Sequence, residues 1–145
     1  MQQKISKTKD MILVEIGGTH TARGAEAFFY RLGRSKYGLK LFKSYSLARQ
    51  VFERQKIAAK AGVAPFVGKF VIAKKPGQTT LWYGYQTEKA SEVFYGDPIW
   101  TKQSKSLQKK LKKLGMDGDF ADVNCGVWRR KLVAVDFGSH SAYEF

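Results

Sequence analysis

One cysteine, Cys125, is the only thiol in the 145-residue chain, so no internal disulfide can staple it, and this usage fits a reducing compartment. Its place beside Asn124 reads as a buried, inert strand cysteine rather than a reactive thiol. Long apolar runs are missing too, and none approaches the roughly 20 residues of a membrane span. The charged start MQQKISKTKD leads only into the short run MILVEIGG, with no small-residue cleavage region, so no secretory signal is expected and a cytoplasmic location is. Internal repeats and low-complexity segments are absent. Acids are scarce: 12 Asp and Glu stand against 26 Lys and Arg, a net charge of +14. Such an excess favours polyanions, whether nucleotide, nucleic acid or an acidic partner, without choosing among them. What is present is a 43% hydrophobic and 14% aromatic composition, enough to build the core of one globular domain.

The few acids are unevenly placed. Asp117, Asp119, Asp122 and Asp136 fall in one twenty-residue window, and Asn124 lies five positions after Asp119 and twelve before Asp136. Between Asn124 and Asp136 the apolar pattern CGVWRRKLVAV reads as a hairpin, which would carry the amide and the carboxylate to the ends of short strands. Carboxylate and amide oxygens are hard ligands suited to Mg²⁺, an ion that commonly bridges protein oxygens and nucleotide phosphates. A surface hairpin with Asp and Asn at turn positions is the plainer reading of the same residues.

Along the chain, residues 1–10 read as a mobile polar arm. Runs at 11–16, 27–32, 37–45, 63–74 and 79–86 read as five strands. Gly17, Gly18 and Gly24 lie in the first connection, where glycine lets backbone N–H groups approach a phosphate. In the third strand Lys40 is flanked by Leu39 and Leu41, an unusual seat for a solvated charge. Residues 46–61 read as a helix capped by Ser46, with Leu47, Val51 and Ala58 on its apolar stripe and Gly62 ending it before Pro65. Glu53, in this helix, is the only carboxylate between residues 27 and 87; an i, i+3 pair with Lys56 is its plainer partner. Trp82, Tyr83 and Tyr85 alternate within a strand and read as core and pocket-wall residues. A second helix is expected over 104–114, with Leu107, Leu111 and Leu114 inward and five lysines on the other face. Those lysines read as solvated, or as a docking surface for an acidic substrate or nucleic acid.

The combination of Lys40, Glu53, Asp119, Asn124 and the Asp136-Phe137-Gly138 triplet resembles the protein kinase superfamily, in which an Asp, an Asn five residues later and a DFG about a dozen further form the catalytic and metal loops. GLKLF is similar to the family's VAIK strand. The resemblance implies an α+β, kinase-like fold: a five-stranded antiparallel N-lobe sheet with one helix over residues 1–88, and over 89–145 a much reduced C-lobe of one helix and the catalytic hairpin, with only seven residues after Gly138. Read this way, the whole chain is a single minimal, C-terminally truncated kinase-like domain. The resemblance further implies an ATP- and Mg²⁺-dependent phosphotransferase, a minimal protein serine/threonine kinase that transfers the γ-phosphate to a hydroxyl, with autophosphorylation as one form of it. Lys40 would bind the α- and β-phosphates and Glu53 would hold it. Asp119 would serve the acceptor hydroxyl, and Asn124 and Asp136 would ligate Mg²⁺. Gly17, Gly18, Gly24 and Gly38 would lie along the nucleotide, with Gln86, Thr87 and Glu88 where a hinge meets adenine. The chain departs from the family at the Gly-rich loop, which is not GxGxxG, and at Asp117, which stands in the place of the histidine of HxD. Implied partners are ATP, a protein or small-molecule hydroxyl acceptor, and a second copy covering apolar surface around the second helix. Two other readings stay open: a nucleotide-binding pseudokinase acting as scaffold or inhibitor, and a basic nucleic-acid-binding protein.

Overall fold

The computed structural model describes residues 3–8, 11–16, 22–23 and 27–31 as backbone, and residues 36–94, 96–116 and 125–135 in full. The fold is α+β. Among the described residues the chain order is β1 (Gln3–Thr8), β2 (Met11–Ile16), β3 (Ala22–Arg23), β4 (Ala27–Arg31), β5 (Tyr37–Phe42), α1 (Tyr45–Lys60), β6 (Val67–Lys74), β7 (Trp82–Glu88), β8 (Ser91–Glu92), α2 (Pro98–Lys113), β9 (Cys125–Trp128) and β10 (Lys131–Ala134). The chain divides into two compact units, one of residues 1–52 and 67–88, the other of 53–66 and 89–145.

The first unit holds a seven-stranded sheet in the order β1-β2-β6-β7-β5-β4-β3. All five expected strands occur, but two further strands lengthen the sheet and β2 runs parallel to β6, so the sheet is mixed rather than a five-stranded antiparallel one. The supposed mobile arm is one of the additions. Residues Gln3–Thr8 pair antiparallel with β2, Lys4 opposite Glu15 and Ile5 opposite Val14. A lysine-rich composition argues for solvation, but an edge strand needs only its backbone groups paired on one side, and lysine is well tolerated there.

Helix α1 forms where the apolar spacing places it, and its start is set by Ser44 rather than Ser46: the Ser44 hydroxyl accepts a hydrogen bond from Leu47 N at 3.2 Å. Its end is a Schellman turn in which Val63 N donates to Ala58 O and Gly62 N to Ala59 O, with Gly62 at φ 81°. Within the first unit, residues 45–52 of the helix lie on the sheet through aromatic contacts. Phe52 packs 5.1 Å from the Tyr85 ring and 5.6 Å from Phe70, and Tyr45 meets Phe70 and Tyr83 edge-on. Tyr85, Phe70, Phe42, Leu39 and Leu41 are all buried. Burial of Phe52 alone is worth about 2–3 kcal/mol.

The second unit holds a three-stranded antiparallel sheet, β10-β9-β8, against which α2 packs along β10. Helix α2 begins six residues earlier than its leucine spacing implies. Pro98 is tolerated in the first turn, where its missing N–H is not needed, and Trp100 adds a buried anchor ahead of Leu107 and Leu111. Asp97, just before it, accepts a hydrogen bond from Phe94 N at 2.9 Å and closes the preceding loop. The far end is a second Schellman turn, Met116 N to Leu111 O and Gly115 N to Lys112 O, with Gly115 at φ 77°. The segment after α1 joins this unit directly: Ala134 N donates to Val63 O at 2.9 Å, and the Gln55 amide donates to Pro65 O at 3.1 Å.

Candidate functional site

Strand β5 carries Gly38 and Lys40, and its register with β7 decides what lies beside them. Gly38 is opposite Thr87, Lys40 opposite Tyr85 and Phe42 opposite Tyr83. Directly opposed residues of an antiparallel pair share a face, so Gly38, Lys40 and Thr87 lie on the face that carries Tyr83, Tyr85 and Phe70, where residues 45–52 of α1 pack. Lys40 is half-buried there. Gln86 and Glu88 alternate onto the other face with Leu39 and Tyr37.

The expected hinge residues are therefore strand residues, since β7 continues two positions past its expected end. Thr87 is buried and lies between Gly38 and Val67. Glu88, also buried, forms an ion pair with the exposed Lys36 at 3.7 Å. Gln86 has a structural task that the sequence did not suggest. One extra residue in β6 shifts the register between Val67 and Phe70, and at this bulge Lys69 N donates to Gln86 Oε1 at 3.0 Å. Gly68 makes room for that amide, for a Cβ there would lie 2.5 Å from Gln86 Oε1.

Glu53 is half-exposed on α1, and its carboxylate stands 3.8 Å from Lys56 Nζ, an i, i+3 pair. The charged residue that α1 turns inward is its neighbour Arg54, which is buried, and desolvation lowers its guanidinium below the ordinary value. Gln55, fully buried, is held by its bond to Pro65 O.

Gly17, Gly18, Gly24, Asp119, Asn124 and Asp136 lie outside the described residues. The hairpin expected between the last two is present. Strands β9 and β10 pair antiparallel, with Trp128 opposite Lys131, Val127 opposite Leu132 and Cys125 opposite Ala134. Cys125 follows Asn124 directly and Ala134 precedes Asp136 by two residues, so the strand ends nearest to both in sequence are paired with each other. Cys125 is a buried strand residue, as its setting implied. The hairpin is fixed from three sides: Leu132 N donates to Gln103 Oε1 at 3.0 Å, Ala134 N to Val63 O, and β8 pairs along β9, where a Cβ on Gly126 would come within 2.9 Å of Ser91 O.

At the closed end the turn residues Arg129 and Arg130 both have positive φ, 52° and 66°, a conformation that suits Asn or Gly. Arg129 lies over two rings, 4.7 Å from the Phe66 centroid and 4.8 Å from Trp128, which themselves meet edge-on. These contacts offset part of the strain. The hairpin was signalled by its flanking apolar residues and not by its turn, since Arg129 and Arg130 are not the Asn or Gly such a turn favours, and the Gln103 bond had no sequence signal.

Among the described residues no three His, Cys, Asp or Glu gather as metal ligands, and no helix is long and apolar enough to cross a membrane. No protein-family model matches the chain, and no curated protein matches it in sequence.

Proposed function

We propose that the chain is an ATP- and Mg²⁺-dependent phosphotransferase of the protein kinase-like class that transfers the γ-phosphate of ATP to a hydroxyl, with a protein serine or threonine as acceptor. The observation that carries this reading is the β9–β10 hairpin. Its register pairs Cys125 with Ala134, the described strand ends nearest in sequence to Asn124 and Asp136, and this supports reading those two as oxygen ligands of one cation. The Lys40 position adds to it, a lysine on a strand flanked by buried leucines and sharing a sheet face with Gly38 and Thr87.

In this mechanism Lys40 neutralises the α- and β-phosphates and Glu53 orients it. Gly38 leaves space for the nucleotide. Gln86, Thr87 and Glu88 mark where β7 ends and backbone could meet adenine, with Gly17, Gly18 and Gly24 over the phosphates. Asn124 and Asp136 would hold Mg²⁺, which when bound offsets charge on the transferred phosphoryl. Asp119 takes the proton of the acceptor hydroxyl as that oxygen bonds to the γ-phosphorus, and the bond to the β,γ-bridging oxygen breaks to leave ADP. Positioning and charge supply most of such catalysis, which is why few residues suffice. The fold as a kinase-like one, a cytoplasmic setting and pairing with a second copy belong to the same proposal.

The test is transfer of labelled γ-phosphate from ATP in the presence of Mg²⁺, to the chain itself and to a generic protein acceptor. Asp119→Ala and Asp136→Ala should each lower transfer by about 100-fold or more. Equal labelling by all three proteins would refute the assignment. Mg·ATP binding without any transfer would instead identify a pseudokinase.

A further inference from the structure

Helix α2 carries a charge pattern that the phosphotransfer reading does not use. Its sixteen residues, PIWTKQSKSLQKKLKK, include no carboxylate. At about 100° per residue, Lys102, Lys105, Lys109, Lys112 and Lys113 fall within roughly 100° of arc, opposite the buried Leu107 and Leu111. All five are exposed. Pairs three and four apart, such as Lys105 with Lys109 and Lys109 with Lys113, are neighbours of like sign, and like pairs at these spacings destabilise a helix. The helix thus keeps a repulsive stripe with no compensating acid of its own.

The chemistry of the opposite side limits what could relieve that repulsion. Trp100, Leu107 and Leu111 are buried in the second unit. The helix therefore has no free apolar side to insert into a bilayer or to lay in a hydrophobic groove, the two usual uses of a basic amphipathic helix. What remains is contact through charge alone. From Lys102 to Lys113 the stripe is about 16 Å long. One nucleic-acid strand carries a charge about every 3.4 Å of duplex axis, so some five phosphates span the same length as the five ammonium groups.

We propose that this face of α2 docks on the phosphate backbone of a nucleic acid, without base readout, and that it is separate from the residues assigned to phosphotransfer. Lysine suits the task, being a point charge that grips phosphate without a demand on geometry.

The test is fluorescence anisotropy with labelled mixed-sequence oligonucleotides, single-stranded and duplex, over about 50 to 200 mM salt. For the duplex, the logarithm of affinity should fall against the logarithm of salt with a slope of about −4 to −5, as five phosphate contacts imply. The fourfold variant Lys105→Gln, Lys109→Gln, Lys112→Gln, Lys113→Gln should flatten the slope to about −1 with helix content by circular dichroism unchanged. Arginine at the same four positions should restore binding, which separates charge from any loss of folding. Lys60→Gln with Lys69→Gln, two exposed lysines elsewhere, should leave the slope near the wild-type value. The proposal is overturned if the fourfold variant keeps the wild-type slope, or if the control pair lowers it as much. Tighter binding of the wild type to phosphatidylserine vesicles or polyglutamate than to either oligonucleotide would also overturn it. Asp136→Ala should bind nucleic acid as the wild type does, so the outcome does not depend on phosphate transfer.

Discussion

Gly84→Ala is the substitution to which the seven-stranded sheet should be most sensitive. Gly84 lies mid-sheet in β7, opposite Leu41 of β5 on one side and Val71 of β6 on the other. A Cβ there would run into the carbonyl oxygen of Lys40, lie 2.8 Å from the Lys40 carbonyl carbon and sit 3.0 Å from Leu41 Cα. Every obstructing atom is backbone, so no rotamer change can give way. The carbonyl oxygen is the nearest of these atoms, so restoring ordinary contact means moving β5 outward by well over an ångström, and that stretches ladder hydrogen bonds on either side. Overpacking costs about 1–3 kcal/mol, and each weakened hydrogen bond adds about 0.5–1.5 kcal/mol. Against this, alanine regains about 0.5–1 kcal/mol of the entropy glycine loses in a strand. The net is a destabilisation of about 2–4 kcal/mol, or roughly 4–16 °C in Tm for a chain of this length. Gly77→Ala is the control: nothing lies within 4 Å of its Cβ, and only its φ of 75° opposes the change, at about 1 kcal/mol. Thermal melting and urea titration of the two variants should therefore separate clearly. If Gly84→Ala melts within about 1 °C of the wild type, or no lower than Gly77→Ala, the close approach of β5 and β7 is not as described.

Gln103→Ala removes the acceptor of Leu132 N, a part-buried bond of 3.0 Å, and should cost about 1–2 kcal/mol in urea unfolding. Gln103→Glu keeps an acceptor oxygen there and should recover most of the loss; equal loss in both variants would place the effect elsewhere. Arg130→Gly relieves a φ of 66° and should raise stability by about 0.5–1 kcal/mol, while Arg129→Gly should gain less because it also loses two ring contacts. A lower Tm for Arg130→Gly would show that the arginine side chain, not the backbone, governs that turn.

Periodicity and turn chemistry made much of the architecture legible. Five strands and both helices occur where the sequence indicates, and Gly62 and Gly115 end the helices because only a residue at ease with positive φ can close a Schellman turn. What escaped was set by partners distant in sequence. Lys4 and Lys7 look like a solvated tail until β2 supplies a pairing edge, and that edge depends on β6. The early start of α2 escaped because residues 101–106, TKQSKS, carry no apolar residue to link Trp100 to Leu107, although the two are seven apart and share a helix face. Of the candidate site, the hairpin between Asn124 and Asp136 was legible because Val, Trp and Leu surround a two-residue turn. Its anchors, Gln103 and Val63, were not, since a single amide or carbonyl carries no pattern. The same limit applied to Gln86, whose amide answers a bulge that no local rule foretells.

The parallel pairing of β2 with β6 joins Met11 to Phe70, about sixty residues later. On a ribosome adding about 5–20 residues per second, the first two strands wait roughly 3 to 12 s before their neighbour has been made. Through that interval Met11–Ile16 presents an open, hydrophobic margin to whatever strand arrives first. A factor that shields nascent chains, or slow passage through the codons for residues 11–70, would change how much of this protein reaches its final form while leaving the melting point of the finished molecule untouched.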